Sequence, residues 1–193
     1  MKTTKINPED AWVDQAVTIL KQGGVIAYPT EAVYGLGCDP ADINAIKRIL
    51  TLKHREKEKG LILVAANFEQ LKPYLQPVTQ EIEKKLLASW PGPVTWLMPA
   101  KETTSDYIKG QFTTLAVRVS NHPVVKSLCE KFGSAIISTS ANIATQEAAR
   151  TAKQVKEIFS DKLDMIVDGE TDKNAKPSEI RDALTDKIIR SGQ

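Results

Sequence analysis

The chain has almost no cysteine or histidine: Cys38, Cys129, His54 and His122 are the complete set among 193 residues. The cysteines stand far apart, with no Cys-x-x-Cys pattern and no secretory context, and read as two reduced thiols rather than a disulfide framework. No pair of His or Cys residues has finger-like spacing, so no structural zinc is expected. Long apolar runs are equally scarce. The clearest, Leu61 to Ala66, covers six residues, against the roughly 20 that a spanning helix needs, so no membrane span is expected. The first ten residues lack the apolar core of a secretory signal, and the expected location is the cytoplasm. Charge of one sign is also missing: 26 Lys+Arg against 24 Asp+Glu leave +2, too little to make nucleic-acid binding the default. Gly-x-Gly-x-x-Gly, Gly-Lys-Ser/Thr and Gly-x-Ser-x-Gly are absent, which removes support from dinucleotide, P-loop and serine-hydrolase sites. No cluster of Asp and Glu forms an evident metal cage.

What is present is an ordinary globular composition, 41% hydrophobic and 26% charged, and a length that fits one domain over 1–193. Asn7, Pro8, Glu9 and Asp10 announce a first helix, with Trp12, Val13, Ala16, Val17 and Leu20 at helical spacing and Gly23-Gly24 as its stop. A short strand, Val25 to Tyr28, runs into Pro29-Thr30-Glu31, and Tyr34-Gly35-Leu36-Gly37 reads as a tight turn. Helices are expected from Ala41 to Leu52, Thr79 to Leu87 and Pro123 to Phe132. Asn67 with Gln70 and Thr151 with Gln154 have the spacing of capping boxes. Trp90-Pro91-Gly92-Pro93 must turn. Strands are expected at Leu61 to Ala66, Val94 to Met98, Leu115 to Val119 and Ala135 to Ile137, then at Met165 to Val167, Glu179 to Arg181 and Lys187 to Ile189. Strands and helices alternate, yet several links are too short for crossovers. The expected fold is therefore a single α/β domain with a twisted, mixed parallel and antiparallel sheet flanked by helices.

Three places concentrate polar chemistry. Lys53-His54-Arg55-Glu56-Lys57-Glu58-Lys59 packs four cations and a histidine into seven residues. A solvated loop of alternating charge is the competing reading. Its position at a helix exit also suits Lys53 and Arg55 to a carboxylate or phosphate ligand, Arg by bidentate bonds and Lys as a point charge. Ser138-Thr139-Ser140-Ala141-Asn142 follows a buried strand; it is either a turn bonded to its own backbone or a neutral cradle for phosphate oxygens or ribose. Arg118 interrupts the apolar run Leu115 to Val119, where alternation is equally compatible with exposure and with function.

Together, Tyr28-Pro29-Thr30-Glu31-Ala32-Val33-Tyr34-Gly35-Leu36-Gly37, Lys53-x-Arg55, Leu115-Ala116-Val117-Arg118, Ser140-x-Asn142 and Pro177-Ser178-Glu179-Ile180-Arg181-Asp182 closely resemble the YrdC/TsaC family of threonylcarbamoyl-AMP synthases. Five motifs occur in register from about Gly24 to Arg190. The resemblance implies a YrdC-like twisted sheet around a basic concave cleft. The implied activity makes L-threonylcarbamoyl-adenylate and pyrophosphate from L-threonine, bicarbonate or CO2, and ATP. That product would feed threonylcarbamoyladenosine modification of tRNA, completed by downstream transfer proteins. A direct contact with tRNA or other RNA is compatible with it.

Carried onto this chain, the resemblance places ATP at Arg55, Lys59, Thr114, Ser140, Asn142 and Arg190, and L-threonine at Thr30, Arg118, Ser138 and Ser178, with the carboxylate on Arg118. Lys53 and Arg55 are the residues expected to neutralise charge during the reaction. Magnesium is expected to arrive on ATP, with no resident metal site and no tightly bound cofactor. Two positions depart from the family pattern: Ala32 stands where many relatives have a second Thr, and Ala144-Thr145 where many have Ser-Gly. The competing functions are an RNA-binding module without turnover and another carbamoyl-adenylate-forming activity.

Overall fold

The computed structural model describes residues 11–172, 174–175 and 177–192. The helix-start signals at Asn7, Pro8, Glu9 and Asp10 lie outside them. Helix α1, Ala11–Lys21, buries Val13, Ala16, Val17 and Leu20, a stripe that recurs every three or four positions. The other helices are α2 Ile43–Lys53, α3 Gln80–Ser89, α4 Asp106–Lys109, α5 Pro123–Phe132 and α6 Ala152–Phe159. Each end has a local cause. Asp42 Oδ1 accepts from the amides of Asn44 (2.8 Å) and Ala45 (3.0 Å) to open α2. Pro123 occupies the first turn of α5, and Gly133 at φ 85° closes it. Asn67 and Thr151 do cap the segments they precede, through the amides of Gln70 and Gln154.

The strands are β1 Ile26–Pro29, β2 Tyr34–Gly37, β3 Ile62–Ala65, β4 Val94–Pro99, β5 Thr114–Val119, β6 Ile136–Ser140, β7 Met165–Ile166, β8 Glu179–Asp182 and β9 Ile188–Arg190. They form one sheet in the order β7-β1-β2-β6-β3-β5-β4-β8-β9. The pairs β1–β7, β3–β5 and β4–β8 are parallel and the others antiparallel, so the sheet is mixed, as the short links require.

Strand alternation divides the core. Leu63, Ala65, Val117 and Ile137 belong to a cluster with Ala45, Ile46 and Ile49 of α2 and Val155 and Phe159 of α6. Ile26, Tyr28, Val64 and Ile136 belong to a second cluster with Ala16 and Leu20 of α1 and Val125, Leu128 and Cys129 of α5. Leu20 and Leu128 are fully buried there, and each contributes about 1.5–3 kcal/mol by leaving water. Helices α1 and α5 cover only part of this second face. Ile62, Arg118 and Ser138 share it with Val64, by register and the two-residue period, and lie beyond that cover. A cavity occupies this uncovered part.

Two expectations are corrected. Tyr34–Gly37 is strand β2, paired with both β1 and β6, rather than a tight turn. Its glycines serve close approach: a Cβ on Gly37 would lie 2.7 Å from the Tyr28 ring and 2.8 Å from the Ile137 carbonyl oxygen. Residues Ser138 to Ser140 likewise continue β6 instead of leaving it, because β2 supplies partners for Thr139 and Ser140. Helix α4, opened by the Ser105 hydroxyl on the Tyr107 amide at 3.2 Å, was not foreseen from the sequence.

Candidate active site

A cavity of about 860 Å³ opens on the uncovered face. Its lining brings together eight of the expected residues: Thr30, Arg55, Arg118, Ser138, Ser140, Asn142, Ser178 and Arg190. They come from the β1–β2 link, the exit of α2, β5, β6, the loop after β6, the residue before β8 and strand β9, so only the folded sheet assembles them. Lys59, Thr114 and Lys53 stand off this lining. Lys59 is exposed and pairs with Glu56 at 3.1 Å. Thr114 starts β5 opposite Pro99. Lys53 is 2% exposed and gives its ammonium to the Ser140 and Asn142 segment.

Arg118 is anchored on two sides. Its Nε donates to the Gly92 carbonyl at 3.0 Å, and its Nη2 forms an ion pair with Glu31. Glu31 is itself fixed by the Ser120 hydroxyl at 2.8 Å and the Asn121 amide at 3.2 Å. Burial alone would raise the Glu31 carboxyl, but Arg118 and Ser120 outweigh it and hold the group below the usual carboxylate range. Arg118 is thus a prepositioned guanidinium on the cavity lining, a fixed positive charge for an anionic ligand.

Arg55 is held in the same manner but by a carbonyl. Its Nε and Nη2 donate to Gly60 C=O at 3.1 and 2.9 Å. Arg190 Nη2 donates to Ser178 C=O at 2.8 Å. Burial lowers the pKa of both from the ordinary arginine value. The Ser178 hydroxyl lies 2.9 Å from that of the buried Thr95, and the Ser140 hydroxyl donates to Asn142 Oδ1 at 2.7 Å. Glu31 and Glu179 also line the cavity. Each is paired with an arginine, Glu179 with Arg181. Among the described residues no group of three or more His, Cys, Asp or Glu could hold a metal ion, and these two engaged carboxylates do not form one.

Sequence reasoning missed Glu31, which stands directly after the expected Thr30. A signal existed: an arginine inside a buried strand requires a carboxylate partner, and strand ends nearby are where to look. It also missed an apolar corner. Ala32 is 6%, Val64 6% and Val125 1% exposed, and all three line the cavity; Ala32 is the first of the departures noted above. The second departure has a backbone consequence, since Thr145 takes φ 71°, the left-handed region that favours glycine.

These features define an α/β protein with a preformed pocket that carries a fixed arginine at each of three points, fit for a ligand with separated anionic groups. Residues 18–192 match the family model for Sua5, YciO and YrdC, described as "Telomere recombination", and the chain belongs to that family. A threonylcarbamoyl-AMP synthase of Photorhabdus laumondii is 52% identical over 181 residues, covering 93% of this chain and 95% of that protein. One of Vibrio campbellii is 49% identical over 181 residues, covering 93% and 98%. Among solved structures, P. abyssi Sua5 complexed with L-threonine superposes with a TM-score of 0.86 at 34% identity, over 93% of this chain. This chain spans 54% of the length of that Sua5 chain. E. coli YciO gives a TM-score of 0.80 at 27% identity, over 96% of this chain and 91% of that one.

Proposed function

We propose that this protein is a threonylcarbamoyl-AMP synthase, an enzyme of nucleotidyl-transfer type that joins L-threonine, bicarbonate or CO2, and ATP and releases pyrophosphate. The observation that carries the reading is Arg118, held by Gly92 and Glu31 inside a cavity that Arg55, Ser140 and Arg190 also line. One pocket then offers a carboxylate anchor and a phosphate wall together, in a chain 52% identical to a protein of that name. No helix of the described residues is long and apolar enough to cross a membrane, and action in the cytoplasm on behalf of tRNA modification is part of the same proposal.

In this reading the threonine carboxylate pairs with Arg118, and Thr30, Ser138 and Ser178 lie around the amino acid. The amine lone pair forms a C–N bond to CO2 and loses a proton, giving an N-carboxylate. One of its oxygens attacks the α-phosphate of ATP, and the P–O bond to the β-phosphate breaks with pyrophosphate taking the electron pair. Charge grows on the transferred phosphate, and Arg55 with Arg190 offsets it from fixed positions that need no rearrangement. Magnesium enters as the counter-ion of ATP, as part of the substrate. The mixed anhydride passes to downstream proteins that transfer the threonylcarbamoyl group to tRNA, and direct tRNA contact by this chain is not required for the step.

A pyrophosphate-release assay tests the reading. Release that needs L-threonine, bicarbonate and ATP together is the expected result. Release indifferent to threonine would assign a different carbamoyl-adenylate chemistry, and retention of RNA with no release would make the domain a binding module.

A further inference from the structure

Lys53 is the last residue of α2 and is 2% exposed. Its ammonium donates to the carbonyls of Ser140 and Asn142, the second at 3.0 Å, and to Asn142 Oδ1 at 3.0 Å. A lysine head group has three N–H donors, so all are spent inside the protein and none remains for a phosphate. The backbone repeats the tie: Lys53 C=O accepts from the Ala144 amide at 2.8 Å. Asn142 is oriented by its own Nδ2, which donates to the Ile143 and Gln146 carbonyls at 2.9 Å each. Its Oδ1 therefore faces the ammonium, and the same atom accepts the Ser140 hydroxyl at 2.7 Å.

Among the described residues the charged group that bears on Lys53 is another cation, Arg55, and the segment 140–146 brings only neutral partners. A buried ammonium with no counter-charge is costly, and an apolar side chain of equal length would avoid that cost. What the charge supplies in return is a fixed course for the segment and positive potential behind it.

We propose that Lys53 is a positioning residue for ATP. It fixes residues 140–146 as a preformed wall, and it keeps Asn142 Oδ1 paired when the Ser140 hydroxyl turns its hydrogen from Asn142 to the nucleotide. This rests on the ATP-dependent reading above and moves Lys53 from contact with phosphate to support behind it.

Amide exchange in the ligand-free protein gives the first test. In Lys53→Met the Ala144 and Gln146 amides exchange at least roughly tenfold faster, while those of α5 keep their protection; unchanged exchange at both overturns the proposal. Calorimetry and turnover give the second. Lys53→Met weakens Mg-ATP binding by roughly tenfold or more, leaves the L-threonine Kd within about twofold, and keeps turnover at saturating ATP within about tenfold of wild type. Loss of turnover with unchanged ATP affinity would place Lys53 on the reacting atoms and overturn the positioning role. Should the variant fail to fold, Lys53→Gln, which keeps N–H donors and removes the charge, takes its place in both measurements, and the same outcomes decide. Burial first, then Arg55, lowers the Lys53 ammonium to about 8, so a fall in wild-type ATP affinity as pH rises through that value adds support. Absence of ATP binding by wild type at every pH would remove the functional reading itself, and the exchange experiment would still decide whether Lys53 orders the segment.

Discussion

Arg118 and Glu31 meet as an ion pair on the cavity lining, their side chains 12% and 25% exposed. The pair joins a sheet strand to the β1–β2 link, and the Ser120 hydroxyl and Asn121 amide donate to the same carboxylate oxygen, Oε1, that meets Arg118. Arg118 owes its orientation to this partner as much as to its own strand. Glu31→Ala is expected to raise the KM for L-threonine roughly tenfold, about 1.4 kcal/mol, and to leave the KM for ATP within about twofold. Steady-state pyrophosphate release measures both. An equal rise in the two constants would show that Glu31 supports the whole cavity.

The same pair has an acid-side consequence. Glu31 titrates lower in the fold than in an unfolded chain, where a glutamate sits near about 4.3. A carboxyl lowered by folding adds stability above its unfolded value, and that contribution is lost as pH falls through the folded one. Thermal melts between about pH 6 and 3 are expected to fall more steeply for wild type than for Glu31→Gln, with the curves converging at the acid end.

Gly37→Ala tests the reassignment of residues 34–37 to a strand. The added methyl meets the Tyr28 ring and the Ile137 carbonyl, neither of which is a flexible end. Overpacking of this kind costs about 1–3 kcal/mol. A lower melting temperature is the expected outcome; an unchanged one would mean that the Tyr28 ring of β1 and the Ile137 carbonyl of β6 give way without cost.

Thr145→Gly is expected to act in the opposite direction. Thr145 holds φ 71°, and a left-handed conformation costs an L-residue about 1–2 kcal/mol. Glycine relieves it, partly offset by greater freedom when unfolded. For a chain of this size a gain of 1 kcal/mol corresponds to about 2–4 °C in Tm, read by calorimetry.

Much of this was legible in the residues. Helix ends were marked by groups that satisfy orphan backbone atoms: Pro123 and Gly133 bracket α5, and Thr151 caps α6. The buried strands announced themselves by unbroken apolar runs such as Leu61 to Ala66. What failed were segments whose identity depends on distant partners. Tyr34–Gly37 carries the composition of a turn and becomes a strand only because Tyr28, Thr139 and Ser140 lie on either side of it. Lys53 and Arg55 read alike as cations two positions apart, yet one ends α2 facing a bonded loop and the other faces the cavity. Glu31 was invisible as a functional residue because its meaning is Arg118, far along the chain.

The sheet order puts β7 at one border and β8 next to the other, although they are neighbours in the sequence. The chain between them must travel the full breadth of the molecule before Ser178 and Arg190 reach their places on the cavity wall. During synthesis the pocket therefore stays unfinished until residues 178–190 have emerged. A ribosome-bound fragment ending before residue 177 would hold Arg55 and Arg118 yet lack Ser178 and the β8–β9 hairpin, which ties completion of the pocket to the making of that last pair of strands.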